Sequence, residues 1–412
     1  MKKTFLQTVK DQLNPIAKVR RESFRSITNS VSEAPEVFEK KNVDWVFYGK
    51  ENLYPSQLFD LKYGSAIHNS ILKTKGKMMA GDGLLLNGLK TKEESDSFYK
   101  TLQGTQKAEL DYLLKNKIGG TNLETLQDYL AQDYQDYGAY AYKLIFNNDF
   151  TKLSGIKYYK AENIRSGKEV NGKVENYYYA KDWSKSTGSG FKPEKIAAYY
   201  EGNKNASEQM VYRKIGNADY YGIVNYSGCL NWIHTDLQMS IFHRANIENG
   251  MNPGLHFKFY KVPASQLDED IIISNLIKQW QGAAKTNKMV ATFSESKELG
   301  MDISPVETSN LDKQLLLLAE LCDKKILTGH QLTSPLLAGV SVSGQLGGNT
   351  ELETGWQIFD GLSMAADRKV LRNDIEFWFE FNKIGIDVNI NKFKPFETIA
   401  VKNPQFTISS NG

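Results

Sequence analysis

The sequence has few of the residues that stabilise small secreted domains. Its 412 residues include only two cysteines, Cys229 and Cys322, which lie far apart in the chain. This excludes a disulfide scaffold and a cysteine-rich metal site, and it favours a reducing compartment. With 41% hydrophobic and 24% charged residues, the chain has the composition of a globular protein with a sizeable core.

Long apolar runs and a strong net charge are also missing. No stretch of about 18 apolar residues occurs, so we expect no membrane-spanning helix, and the N-terminal sequence lacks the apolar centre of a secretory signal. The net charge is +3, but the first 30 residues are basic, with Lys2, Lys3, Lys10, Lys18, Arg20, Arg21 and Arg25 against Asp11 and Glu22. Such an arm either contacts phosphates or an acidic neighbour, or forms a solvated amphipathic helix.

The motifs of nucleotide-binding and metal-dependent enzymes are absent. In GVSVSGQL, Gln345 and Leu346 stand where a Walker A motif needs Lys and Ser or Thr, so nothing would reach the β- and γ-phosphates. No strand leads into these glycines, which argues against a Rossmann fingerprint. The five histidines lack metal-ligand spacing, and no Gly-x-Ser-x-Gly segment occurs. We therefore expect no metal, no cofactor and no enzymatic activity.

The first half of the chain has an α+β pattern. AIHNSILKTKGKMMAG predicts a helix that ends at Gly81, and NLETLQDYLAQDYQDYG predicts another between an Asn122 cap and Gly138. Fifteen of the 22 tyrosines lie between Tyr134 and Tyr226, in segments separated by turn signals. This pattern predicts short antiparallel strands, since pleated sheets favour tyrosine; stacking on sugars or bases is the alternative.

The sequence pattern changes after about residue 232. Thr235 and Gln238 resemble a capping box that begins a helix, which Gly250 and Pro253 would end. GLHFKFYK and KMVATFSE predict strands, separated by a short helix with Ser265 as its cap.

A strongly apolar helix follows in SNLDKQLLLLAELCDKKILTG. Its leucines surround most of the helix, so it must be buried on several sides, either in the core of one chain or between subunits. A glycine-rich segment then leads to a long helix from about Thr350 to Lys383 and a closing strand in IDVNINKF.

The glycine-rich segment carries no charge from Leu332 to Asn349. Each lysine set against DNA releases counterions and strengthens binding. A neutral, flexible loop beside DNA would contact it without holding it, which suits a channel better than a binding site.

Five stretches, taken in order, resemble the portal proteins of tailed bacteriophages. They are YGKENLYPSQLFDL with SAIHNSILKTKGKMMAGDG, YGAYAYKLIF, ENIRSGK, ENGMNPGLHFKF and ILTGHQLTSPLLAGVSVSGQLGGNTELETGWQIF. The resemblance spans most of residues 44–395, and it depends on the ordered set, since each stretch alone is weakly specific. The turn LTSPLLAG departs from the commoner Val-Pro-Pro form of the family.

The resemblance implies an α+β, portal-like fold that forms a ring, with an α/β wing, a two-helix stem, a small α/β clip, a tunnel loop and a long C-terminal helix. The implied units are an N-terminal arm (1–43), the wing (44–233), stem helix 1 (234–250), the clip (251–305), stem helix 2 (306–330), the tunnel loop (331–349), and the long helix, closing wing strand and short tail (350–412). We expect the crown of helices that follows in other members to be reduced or absent.

The resemblance also implies roles for particular residues. The tunnel loop that faces the DNA channel would comprise Val340, Ser341, Val342, Ser343, Gly344, Gln345 and Leu346. Candidates for the channel face of the stem are Lys313, Lys324 and Lys325, and candidates for the subunit interface are Leu311, Leu315, Leu318 and Cys322. The docking face of the clip would be His256, Phe257, Lys258, Phe259 and Lys261, on a strand that is expected to pair with a neighbouring subunit.

The implied function is a dodecameric ring at one capsid vertex of the virion, assembled in the host bacterial cytoplasm. Double-stranded DNA would pass through it, and its partners would be the terminase large subunit, the head–tail adaptor, the major capsid protein and the scaffold, with no membrane. Two alternatives remain: a nucleotide or phosphate-ester enzyme that uses the glycine-rich loop, and another ring-forming phage adaptor or scaffold.

Deleting Val340–Leu346 tests the assignment of the tunnel loop. We expect the ring to assemble, because a flexible neutral loop adds little to a subunit interface, and we expect DNA packaging or retention to fall. Packaged DNA per particle and ring assembly are the two measurements. Loss of the ring itself would place these residues in the interface and contradict the assignment.

Overall fold

A computed structural model describes residues 35–188, 190–248, 255–259, 265, 268, 270–275, 289–293, 301–305, 311–338 and 349–393. Parts of the predictions lie outside these ranges, including the arm as far as residue 34, much of the clip with Lys261, the proposed tunnel loop Val340–Leu346, and the tail from residue 394. Across the described ranges, no helix has both the length and the apolar character needed to cross a membrane.

The strands and helices follow one another in the predicted order. The strands are β1 (Val37–Glu39), β2 (Val46–Tyr48), β3 (Leu84–Leu86), β4 (Ala139–Phe146), β5 (Leu153–Tyr159), β6 (Ile164–Ser166), β7 (Glu169–Val170), β8 (Lys173–Val174), β9 (Asn176–Tyr179), β10 (Glu194–Ala198), β11 (Glu208–Lys214), β12 (Leu255–Phe259), β13 (Met289–Phe293), β14 (Met301–Pro305) and β15 (Val388–Ile390). The α-helices are α1 (Tyr54–Gly64), α2 (Ala66–Ala80), α3 (Lys92–Thr101), α4 (Gly104–Lys115), α5 (Leu123–Tyr137), α6 (Leu230–Glu248), α7 (Leu311–Gly329), α8 (Asn349–Phe359) and α9 (Ala365–Phe381).

Local sequence signals set several helix ends as predicted. The Asn122 side chain accepts a hydrogen bond of 2.7 Å from the Thr125 N–H at the start of α5, and Gly138 ends that helix with a φ of 68°. Residues 270–275 are helical, and the Ser265 hydroxyl accepts from the Asp268 N–H just before them. Hydrogen-bonding side chains and glycine act here through the backbone of the same turn.

The predicted start of α6 at Thr235 is wrong. The helix begins at Leu230, directly after a 3₁₀ turn at Ser227–Cys229, and the Thr235 hydroxyl donates to the Asn231 carbonyl inside the helix. Leu230 and Ile233 are fully buried. The burial of this first turn extends the helix beyond the apparent capping signal, since tertiary packing overrides local preference.

The tyrosine-rich region forms a six-stranded sheet with the order β5-β4-β11-β10-β9-β6. Its pairs are antiparallel except β10 with β11, which run parallel over Ala197↔Gln209 and Ala198↔Met210, so the expectation of antiparallel strands throughout is wrong at this pair. The Gln209 side chain donates to the Asn203 and Ala206 carbonyls, which holds the short connection between the two strands. The buried tyrosines serve the core, as Tyr140 and Tyr142 on β4 show.

The long helix near the C-terminus packs on this sheet together with α2 and α5. Trp378 on α9 is fully buried and meets the Tyr142 ring edge-on at 5.1 Å. Asp374 accepts hydrogen bonds from the Tyr140 hydroxyl and from the Arg213 guanidinium, at 2.7 Å each. Residues more than 150 positions apart therefore form one core and one polar network.

Two smaller sheets complete the fold. The predicted closing strand is β15, which pairs antiparallel with β3. Strand β12 lies between β13, to which it runs parallel, and β14, to which it runs antiparallel. The sequence pattern does not predict β14.

Gly81 offers a test of how β15 closes on the end of α2. A Cβ atom there would lie 2.1 Å from the Asn391 carbonyl oxygen, and the φ of Gly81 is +75°. We expect Gly81→Ala to lower the free energy of unfolding by about 1–3 kcal/mol in chemical denaturation. Gly228→Ala is the matched control, because open space surrounds that position. Equal stability of the two variants would contradict the close packing.

Candidate channel and assembly surface

Helices α6 and α7 pack against each other. On α7, Cys322 and Ile326 are fully buried, and Leu315 and Leu318 are partly buried on the same side. The end of α7 approaches the turn before α6 so closely that a Cβ at Gly329 would lie 2.4 Å from the Cys229 sulfur. This side of α7 belongs to the core of its own chain.

The opposite side of α7 is exposed and carries three leucines together with the charged Lys313, Glu320 and Lys324. Leu316, Leu317 and Leu321 have exposed fractions of 63%, 65% and 41%. An isolated chain rarely leaves three large apolar side chains exposed on one helix face, and such a patch marks an interaction surface. The predicted interface residues Leu315, Leu318 and Cys322 lie on the other side, and the side chain of Leu311 lies outside the described residues.

The three candidate lysines of α7 are all exposed, but they do not share one face. At about 100° per residue, Lys313 and Lys324 lie within about 20° of each other around the helix axis, whereas Lys325 lies about 100° from Lys324. Leu316 lies on one flank of the Lys313–Lys324 stripe, and Leu317 and Leu321 lie on the other.

A π-helical turn, Asp360–Met364, joins α8 to α9. Ile358, on α8, and Leu362, in the π turn, are exposed, the latter by 79%, while Phe359 and Met364 are fully buried. The extra residue in a π turn shifts the side chains that follow it around the helix. The sequence pattern of one uninterrupted helix did not predict this change.

A pair of buried histidines anchors the end of α7 to α2. The Nδ1 of His68, on α2, lies 2.8 Å from the Nε2 of His330, the residue after α7. The Tyr226 ring contacts both imidazoles, with centroid distances of 4.7 and 5.1 Å. Its hydroxyl donates to the Asp136 carbonyl at 2.5 Å, so α2, α5 and α7 meet at this point.

Burial keeps both imidazoles neutral. It lowers the pKa of His68 to about 3, and the cationic Lys62 and Lys75 act in the same direction. Burial, His68 and Lys75 hold the pKa of His330 well below its ordinary value. The second nitrogens, His68 Nε2 and His330 Nδ1, have no hydrogen-bond partner among the described residues. The sequence signalled none of this, because the two histidines are 262 residues apart.

The remaining predicted residues are those of the proposed docking face of the clip. His256, Phe257, Lys258 and Phe259 lie on β12, and Lys261 falls outside the described residues. Because β12 is the central strand of its sheet, its backbone is paired on both edges. The expectation that this strand pairs with a neighbouring subunit is therefore wrong, and among the described strands of this sheet it is β13 and β14 that each have an edge without a partner strand.

The candidate surface shows no sign of a metal centre. Within the part of the chain that the structure describes, no group of three or more His, Cys, Asp or Glu side chains is placed to hold an ion. The described residues of this surface are instead apolar or singly charged side chains on helices, a composition suited to packing and to electrostatic contact.

Comparison with known proteins gives structural matches but no sequence match. No protein-family model matches the chain, and no curated protein matches it. A chain in the neck of a native GTA particle, computed with C12 symmetry, matches with a TM-score of 0.52 and 12% identity over 88% of both chains. A chain in the neck of an empty GTA particle, computed with C6 symmetry, gives 0.52 and 13% over 81% of this chain and 83% of that one.

A third match is the HK97 family phage portal protein from Corynebacterium diphtheriae, with a TM-score of 0.43 and 9% identity over 81% of this chain and 94% of that one. That score is below 0.5, so the assignment of the fold rests on the two neck chains. The chain shares the fold of these two neck chains. The predicted α+β fold is confirmed, and its assembly into a ring stays a prediction.

Within this fold, the histidine pair lies where α7 ends and the glycine-rich segment begins. Ile326 and Leu327, on the last turns of α7, are buried in the same core cluster as Tyr226. The first residue beyond α7 is therefore held by apolar contacts and by one imidazole–imidazole hydrogen bond. Protonation of both rings would remove the acceptor of that bond and place two charges in a buried site.

We predict that H68Q/H330Q changes the pH dependence of stability. A neutral histidine whose folded pKa is depressed contributes stability that is present above its unfolded pKa of about 6.5 and is lost as the pH falls below it. The difference in the free energy of unfolding between wild type and variant should shrink by about 1.4 kcal/mol per histidine between pH 7.5 and 5.5.

The free energies of unfolding of wild type and H68Q/H330Q should be compared with each other at each pH, by denaturant titration. Asp133 has the opposite effect on the pH dependence of the free energy of unfolding, since burial raises its pKa to about 7. His243→Gln is the control, because His243 is exposed on α6. A difference that stays constant with pH would show that the pair is not buried in its neutral form.

Proposed function

We propose that the protein is the portal of a tailed-phage-like particle, a dodecameric ring at one vertex of the virion. The observation that supports this most is the match over 88% of both chains with a chain of a particle neck computed with C12 symmetry. In this proposal double-stranded DNA passes through the ring during packaging and ejection. The terminase large subunit and then the head–tail adaptor bind to it, and the major capsid protein and scaffold surround it during assembly.

Helices α6 and α7 form the stem in this proposal, and the subunit interface includes the exposed side of α7. Burying a leucine side chain contributes about 1.5–3 kcal/mol, so Leu316, Leu317 and Leu321 would add substantially to a contact between subunits. Each subunit of a ring has two neighbours and uses two different surfaces to meet them. Apolar side chains on both flanks of one helix satisfy that requirement.

The stripe of Lys313 and Lys324 between these flanks is proposed to face the channel. Lysines directed towards a duplex interact favourably with its phosphates, and at two per subunit they would repeat around the ring. Lys325 points about 100° away from Lys324, so we assign it to another surface.

The β12–β14 sheet is proposed as the clip, with a docking role. Because β12 is paired on both sides, a partner strand would add to β13 or β14. Docking at β12 itself is proposed to involve side chains rather than the backbone. These side chains are His256, Phe257, Lys258, Phe259 and Lys261.

The portal-like fold supports a structural protein rather than an enzyme. The main alternative, a nucleotide or phosphate-ester enzyme, requires a phosphate-binding residue in the glycine-rich segment, and the sequence there has neither lysine nor arginine. Equilibrium binding of labelled ATP and GTP distinguishes the two: saturable binding would favour the enzyme.

Mass photometry and negative-stain electron microscopy test both the ring and its interface. We expect rings with a central hole and a mass near twelve times the 46.6 kDa of the chain. Replacing Leu316, Leu317 and Leu321 together by Gln should shift the distribution towards monomers, because the contact loses its buried apolar area.

The control is I118Q/V170Q/Y200Q, which also removes three exposed apolar side chains but leaves α7 intact. It should assemble as wild type does. Intact rings in the α7 variant would contradict the interface, and a wild-type protein that stays monomeric at high concentration would contradict the portal function.

A further inference from the structure

A basic cavity of about 560 Å³ lies beside α9, away from the α6–α7 surface. Its walls come from the turn after β3, from α9 and from the chain around β15. The described lining contains no acidic residue. It contains five cationic side chains: Lys90, Arg368, Lys369, Arg372 and Lys392. Leu89, which is partly exposed, adds apolar surface, whereas Leu85 and Ile390 border the cavity but are buried.

Only some of these cations are neutralised. Asp360 contacts the buried Arg368 guanidinium and lies 3.1 Å from the Lys392 ammonium, so it serves both. Arg372 has Glu376 at 3.2 Å, one turn along the helix. For Lys90 and Lys369, both exposed, the described residues offer no carboxylate within salt-bridge distance.

The remaining positive charge indicates an anionic ligand, and the apolar surface indicates what kind. A volume of this size accommodates a few side chains rather than a duplex, whose phosphates lie on a broad convex surface. A phosphate backbone would also leave the exposed part of Leu89 without an apolar partner. A ligand with carboxylates next to a leucine-like side chain matches both the positive charge and the apolar surface of the cavity. Protein interfaces combine a polar rim and an apolar centre in the same way.

We propose that this cavity binds an acidic segment of a partner protein, with its carboxylates on Lys90 and Lys369 and an apolar side chain on the exposed part of Leu89. Cations outnumber acids in residues 1–34 and in residues 394–412, so neither end of the chain supplies complementary charge. A separate protein is therefore the better-matched occupant. The proposal concerns a surface of the single chain and does not depend on assembly into a ring.

Fluorescence anisotropy with the full-length protein tests this at about 0.15 M salt. The probe is a labelled eight-residue peptide of alternating Glu and Leu, and the comparison peptides replace every Glu by Gln or every Leu by Ser. We expect the Glu–Leu peptide to bind and both substituted peptides to bind at least about tenfold more weakly, since each removes one half of the recognition.

The variant K90E/K369E should weaken binding of the Glu–Leu peptide by about tenfold or more. K173E/K204E makes the same change in net charge at two exposed lysines elsewhere and should bind within about twofold of wild type. Equal loss in both variants, or none in K90E/K369E, would overturn the site.

Competition with a 30-base-pair duplex and with inorganic phosphate distinguishes the ligand class. The proposal expects neither to displace the peptide at comparable concentration. Displacement by the duplex, together with duplex binding that K90E/K369E abolishes, would identify a nucleic-acid site and overturn the protein partner.

Discussion

The packing of α9 on the six-stranded sheet is the constraint on which the rest of this structure depends. Trp378 fills the core against Tyr142, and the buried Asp374 carboxylate joins Tyr140 and the half-exposed Arg213 in one network. Removing Arg213 would leave a buried carboxylate without its cationic partner, which destabilises the fold. Through the π turn, α9 continues from α8, which begins at Asn349, where the glycine-rich segment ends.

The other end of that segment is fixed by different chemistry. His330 is the first residue after α7, and its hydrogen bond to His68 ties the helix end to α2. The neutral, glycine-rich stretch thus lies between two anchored ends: His330, which stacks on Tyr226, and α8, whose Leu352 and Trp356 pack against a buried cluster that includes Met78 and Phe359. A segment with fixed ends and no charge is suited to the proposed role of contacting DNA without retaining it.

The surfaces that remain exposed divide the proposed functions between separate parts of the fold. Leucines flank a lysine stripe on α7, which fits contacts between subunits on either side of a channel. The cavity beside α9 combines unpaired lysines with an apolar wall, which fits a protein ligand. Neither surface uses the buried histidines or the Asp374 network, so each can be altered by mutation without removing the contacts that hold the chain together.

Local sequence signals were sufficient for the order of the elements and for many of their ends. Asn122 and Gly138 bound α5 because a cap and a left-handed glycine act on the same turn of backbone. The resemblance to portal proteins, read from five ordered stretches, predicted the fold that the neck chains share. By the same reasoning Thr235 was a plausible cap, and it failed only because packing of Leu230 and Ile233 extends α6 further.

Tertiary structure alone decided which faces are free. The leucines of α7 are chemically alike, so the sequence could not distinguish Leu315 and Leu318, which turn towards the chain's own core, from Leu316, Leu317 and Leu321, which do not. The position of β12 between two strands and the meeting of His68 with His330 likewise depend on contacts between distant segments. A sequence determines what a residue can bury or bond, whereas the fold determines which partner reaches it first.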